Sequence, residues 1–89
     1  MEVEWDGRKE EANYRKHGVR FEDAAGVFYD EHAMIKDEYR FGEPRFVMIG
    51  RDWLGRLLLV VGTWRDSKPR LISARRATSN EKRLYSEDR

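Results

Sequence analysis

Apolar residues recur along this chain in three rhythms. In EVEWD, Val3 and Trp5 alternate with acids, the period-two pattern of a short strand. From Gly7 to His17 the chain is mostly polar, with Ala12 and Tyr14 as its clear apolar members. It reads as a helix between two signals: Asp6 can accept a backbone N–H at its start, and Gly18 can take a left-handed conformation at its end. Lys16 and His17 suit its negative end, and Glu11 and Arg15 are spaced to pair on its surface. Phe21, Ala24, Ala25 and Phe28 then fall at i, i+3, i+4 and i+7, which predicts a second helix from Phe21 to about Asp30. Gly26 inside it costs about 1 kcal/mol against alanine and permits a close neighbour.

The rhythm changes after Ala33. AMIKDEY reads as a weak strand and RFVMIGRD as a clear one, followed by a turn at Asp52 to Gly55. RLLLVVGTWR, Arg56 to Arg65, is apolar at nearly every position, as expected of a central strand covered on both faces, or on one while lining a groove. DSKP makes the next turn and RLISARRA the last strand. Turns this short join antiparallel neighbours, so Arg45 to Ala77 reads as a three-stranded meander. Thr78 or Ser79 can cap a final helix; Ser79 with Lys82 lacks the acid of a capping box, while Glu81 suits the first turn. The order β-α-α-β-β-β-β-α predicts an α+β domain: two N-terminal helices on a mainly antiparallel sheet, with a C-terminal helix.

The 89 residues suffice for one domain, 1–89. The absence of cysteine excludes disulfides and thiolate metal sites. The longest apolar run, Leu57 to Val61, is too short to cross a bilayer, and with no leader-like segment the reading is a soluble cytoplasmic protein without membrane contact. Charge is segregated. Residues 1–44 carry 7 basic and 12 acidic side chains, net −5; residues 45–89 carry 11 and 5, net +6. A basic half can face a polyanion while the acidic half stays away.

The chemistry therefore centres on arginines. In antiparallel order Arg45, Arg65 and Arg70 meet near one end of the sheet, and Arg75 and Arg76 lie at the other, near Arg56. Adjacent strand residues face opposite sides, so at most one of Arg75 and Arg76 meets a ligand on a given face, and the other serves structure, solvent or a partner. Guanidinium groups grip phosphate through paired hydrogen bonds and stabilise charge that develops during phosphodiester cleavage. The competing account of each is a surface ion pair worth little. A histidine such as His17 can exchange protons near neutral pH, although helix capping also accounts for it. Tyr85 can pack or donate to a phosphate. Trp53, in a turn, is the expected base-stacking residue, whereas Trp64 reads as core. Asp30, Glu31, His32, Asp37 and Glu38 have no recognised metal-ligand spacing and read as a solvated loop. No phosphate-cradling glycine loop, GxSxG or HExxH occurs.

These residues also resemble a known family. Trp5, Asp6, Lys9, Asn13, Lys16, His17, Gly18, Val19, Phe21, Glu22 and Ala24 match the N-terminal signature of the BrnT toxins. RFVMIGR, the apolar strand ending in Thr63, and ISARRAT followed by Glu81 and Tyr85 match its second half. The resemblance implies a RelE-like fold and the toxin of a type II toxin–antitoxin pair: an endoribonuclease that halts translation. It further implies neutralisation by a BrnA-like antitoxin, operator DNA being met only through that antitoxin. It carries Arg45, Arg75, Arg65 and Arg76 as activity candidates, with His17 inside the motif. Two departures stand out: Gly62 replaces a histidine found in many relatives, and the stretch between Asp30 and Arg45 matches poorly.

The expected reaction needs no metal or other cofactor. The RNA 2′-hydroxyl attacks the adjacent phosphate while arginines neutralise it. His17, Glu43, Lys36 and Tyr85 are the candidates for moving protons. The catalytic set is thus Arg45, Arg75, His17 and Tyr85, with Arg65, Arg70, Arg76, Lys36 and Trp53 as RNA contacts. The alternative is a non-catalytic RNA- or partner-binding module, such as a co-repressor subunit, using the same basic sheet.

Overall fold

The structure, a computed structural model, describes residues 2–40 and 42–87. Its elements are β1 (Glu4–Trp5), α1 (Gly7–His17), α2 (Phe21–Ala24), a 3-10 segment (Ala25–Tyr29), β2 (Met34–Arg40), β3 (Glu43–Arg51), β4 (Leu57–Arg65), β5 (Lys68–Arg76) and α3 (Ser79–Glu87). The sheet is five-stranded in the order β1-β5-β4-β3-β2. β2 to β5 are antiparallel neighbours, and β1 runs parallel to β5 through Glu4–Arg70 and Trp5–Leu71. The predicted meander is therefore longer by one strand, and the sheet is mixed.

α1 forms where its end signals lie. Asp6 accepts from Arg8 and Lys9 N–H at 2.8 and 3.1 Å, and Gly18, at φ 69°, donates to the Tyr14 carbonyl at 2.8 Å. Glu11 pairs with Arg20 rather than Arg15; the Arg20 guanidinium lies 3.5 Å above the Tyr14 ring, and that contact outweighs a solvated i,i+4 pair. The predicted second helix is corrected to one α-turn followed by the 3-10 segment. Gly26 explains why: a Cβ there would stand 2.5 Å from the Trp53 backbone nitrogen, so the segment bends around the β3–β4 turn that Trp53 occupies.

The core lies between this helical layer and one sheet face. Val19, Phe21, Ala24 and Val27 interlock with Phe46, Met48, Leu58, Val60, Leu71 and Ala74. Burying each large side chain contributes about 1.5–3 kcal/mol. On the opposite face α3 covers only one end, where Tyr85 and Ala77 pack on Ile49 and Leu57. β4 is thus covered on both faces at its start and lines an open surface towards its end.

Local chemistry fixes the ends of these strands. β4 and β5 join through Asp66 and Ser67, both at positive φ, 51° and 65°, as a two-residue hairpin of the right twist demands. β5 therefore starts at Lys68, two residues before its predicted start, and absorbs Pro69. α3 is capped by Thr78 rather than Ser79: Thr78 N–H donates to Glu81 at 2.8 Å and Glu81 N–H to Thr78 Oγ1 at 3.2 Å. The capping box is complete in the frame one residue earlier than the one predicted to lack its acid. Among the described residues no helix is long and apolar enough to cross a membrane.

Candidate functional site

The uncovered part of the sheet carries the functional geometry. One cross-strand row runs Glu38–Arg45–Thr63–Arg70, with Glu4 beside Arg70. Facing residues share a side of the sheet, so all four project together. Arg45 and Arg70 are two strands apart, about 10 Å at their backbones, with the Thr63 hydroxyl between them. Their ion pairs are long: Arg45–Glu43 at 3.6 Å and Arg70–Glu4 at 3.8 Å. Arg45 Nε is buried without a hydrogen-bond partner, a donor held out of water. With Arg65, Glu43, Lys9 and Trp64 they line a cavity of about 310 Å³. Such a wall can bind an anion and stabilise added negative charge on it.

The structure therefore brings Arg45, Arg65 and Arg70 together. It separates the other candidates. Arg75 pairs with Leu59 and Arg76 with Leu58, so the two point to opposite faces. Arg75 shares the open face with Arg45 but stands four residues along the strands and two strands across from it, about 16 Å at the backbone. Its guanidinium is engaged by Glu81 in a two-pronged pair, both bonds 2.9 Å, and also donates to the Arg76 carbonyl. This pair holds the Glu81 carboxyl below the usual carboxylate range and raises Arg75. Arg76 is exposed on the helix side and lines a distal cavity with Arg51, Arg56 and Lys82.

Tyr85 is 2% exposed and donates its hydroxyl to Asp30 Oδ2 at 2.7 Å. Asp30 also accepts from Arg51 and His32 N–H. Burial pushes the Asp30 carboxyl up, yet these three bonds outweigh it and leave it lowered. Asp30, read as part of a solvated loop, is instead the post to which α3 is tied. His17 lines a second cavity, of about 330 Å³, with Lys9, Ala12, Lys16, Ile72 and Ser73. Lys36 lies on β2 beside an apolar groove floored by Val47 and Ile49.

Trp64 is more open than expected of a core residue, while Trp53 lies in its expected turn with much of its surface exposed. Trp53 stacks on Tyr29, ring centroids 5.0 Å apart, in the β3–β4 turn at the sheet end opposite Arg45. Trp64 packs on Phe46 at 5.1 Å, is 38% exposed and forms part of the arginine cavity. Lys9 was not singled out as a site residue; its place at the start of α1, beside β1 and β5, depends on a parallel pairing that local pattern does not reveal. The Gly62 departure has a steric cause: a Cβ there would lie 2.4 Å from the Phe46 ring and 2.5 Å from the Arg70 carbonyl.

Known proteins bear on this geometry. A family profile described as the ribonuclease toxin, BrnT, of type II toxin–antitoxin systems matches residues 5–81. No curated protein matches the chain. Among solved structures, the crystal structure of the Brucella abortus ribonuclease toxin BrnT is similar at 24% identity and a TM-score of 0.65. The match covers 89% of this chain and 99% of that one. At that identity the likeness is one of fold.

Proposed function

This chain belongs to the BrnT family of ribonuclease toxins of type II toxin–antitoxin systems, and from that premise we propose that it is an endoribonuclease that cuts RNA without a metal ion and so inhibits translation. The observation that carries the proposal is the Arg45–Thr63–Arg70 row, two arginines in long ion pairs on either side of a hydroxyl. A phosphate bound over Thr63 receives hydrogen bonds from both guanidinium groups. The adjacent 2′-hydroxyl attacks phosphorus, the bond to the 5′-oxygen breaks, that oxygen leaves as a 5′-hydroxyl with a proton from water, and a 2′,3′-cyclic phosphate forms. Arg45 and Arg70 stabilise the extra charge on the way. Glu43, in the same wall, is the group proposed to take the 2′-hydroxyl proton. Arg65, two residues from Thr63 and on the same face, flanks the site for a neighbouring phosphate.

In this reading Arg75 and Lys36 contact the strand beyond the scissile phosphate, and Tyr85 serves structure through Asp30. Arg76 and Trp53 stand apart from the cleavage site. The fold is read as RelE-like. A type II toxin implies an antitoxin; we take it to be BrnA-like, meeting the toxin in the cytoplasm and binding operator DNA on its behalf.

The test is cleavage of RNA by purified protein in EDTA, with end-group analysis. Fragments ending in 2′,3′-cyclic phosphate are expected. Arg45→Ala and Arg70→Ala should each slow cleavage about 100-fold with melting curves close to that of the unaltered protein. Full cleavage by a folded Arg45→Ala protein overturns the assignment. A salt-sensitive gel shift without cleavage would instead favour a binding module.

A further inference from the structure

The cavity beside the arginine site takes no part in the chemistry proposed above. Its walls are α1 and the stretch of β5 where the pairing with β4 slips, leaving Ile72 between Leu71, opposite Gly62, and Ser73, opposite Val61. Such a bulge bends the strand and turns its side chains outward. Among the described residues no carboxylate lines this cavity, whereas Glu43 lines its neighbour. Lys9 and Ile72 line both, so the two cavities are immediate neighbours that meet at these side chains. Asn13, also in its wall, spends its carboxamide on Ala74 and Val19 and is not free to read a ligand.

The spacing of the cations matters next. Lys9 and Lys16 are seven residues apart on α1, two turns along one face and about 10 Å. At the 3.4 Å rise of a stacked strand that is about three nucleotides. Between them Ala12 and Ile72 give an apolar floor.

We infer that this cavity is a second segment of the RNA path. A single strand with its scissile phosphate over Arg45 and Arg70 passes Lys9, crosses the edge of β5 at Ile72 and runs along α1 to Lys16. Its phosphates face the lysines and its bases lie against Ala12 and Ile72. Its place next to the arginine cavity, with Lys9 facing both, favours RNA over an acidic protein segment as the occupant. The inference rests on the ribonuclease reading.

The test uses fluorescent 2′-O-methyl RNA, which lacks the attacking hydroxyl, in two lengths: one spanning the arginine cavity and one several nucleotides longer. The longer oligonucleotide should bind the unaltered protein at least about tenfold tighter, with a steeper salt dependence. Lys16→Ala should shrink that gain and lower the salt slope by about 0.7, one phosphate contact on a single strand. Lys16→Glu should abolish the gain and Lys16→Arg restore it, each with an unchanged circular dichroism spectrum. If lengthening brings no gain, or Lys16→Glu keeps it in full, the path is wrong while the cleavage site stands. If Arg45→Ala binds both lengths as tightly as the unaltered protein, the ribonuclease reading itself fails.

Discussion

Asn13 is a polar side chain that earns its burial by acting as a strand. Its carboxamide accepts from Ala74 N–H at 3.0 Å and donates to the Ala74 carbonyl at 2.9 Å, the pattern a neighbouring strand would offer. It also donates to the Val19 carbonyl at 3.1 Å. Asn13→Ala leaves three buried backbone groups without partners and is expected to cost about 3 kcal/mol, read as a lower urea midpoint. Asn13→Asp should cost at least as much, since it sets a carboxylate oxygen against two carbonyls. Gly62→Ala drives a Cβ into the Phe46 ring and the Arg70 backbone; about 1–3 kcal/mol is expected, by the same measurement. At this scale the sequence was partly legible. Residues that cap helices or end strands announced themselves, because those roles depend on near neighbours. Asn13, Asp30 and Trp64 did not, because their partners lie far along the chain.

Glu81 shows how an element is held by one side chain. It closes the capping box with Thr78 and takes both prongs of Arg75, while Tyr85 ties the same helix to Asp30. The folded Glu81 and Asp30 carboxyls both lie below their ordinary values. Their contribution is therefore complete above the ordinary carboxylate range of about 4 and is lost as pH falls through the depressed folded values. The attachment of α3 should loosen in acid. Glu81→Gln should lower stability near neutral pH and flatten its decline towards acid, in melts recorded across that range; a decline of unchanged steepness would show that Glu81 is not the group responsible. Arg75→Ala frees the same helix, so activity lost in that variant has to be compared with Glu81→Gln before Arg75 is credited with RNA contact. Among the elements, the antiparallel strands were legible from apolar runs and short turns. The 3-10 segment was not, since its stripe fits a helix and only the distant Trp53 turn bends it. The parallel place of β1 was hidden for a similar reason, because two residues carry no pairing information.

Across the whole molecule, the segregation of charge along the chain is only partly kept in space, because Glu4, Glu38 and Glu43 of the acidic half stand beside the arginine row. The basic second half supplies β3, β4 and β5 with the arginine row, while the acidic half supplies the helical layer and β2. If Arg45 and Arg70 share one phosphate and Arg65 meets a second, the affinity of a non-cleavable RNA should fall with salt at a log–log slope of about −1.4, near −0.7 per phosphate. Fluorescence anisotropy over a salt series measures it, and a flat dependence would remove the arginines from the interface. The two borders of the sheet differ in kind as well. Beyond its pairing with β1, β5 is closed by Asn13, whereas β2 borders the sheet along seven residues. The longer of the two border strands is therefore β2. A strand from another chain finds its template on β2, where Lys36, Asp37, Glu38 and Arg40 make an indiscriminate guest unwelcome and a charge-matched one admissible.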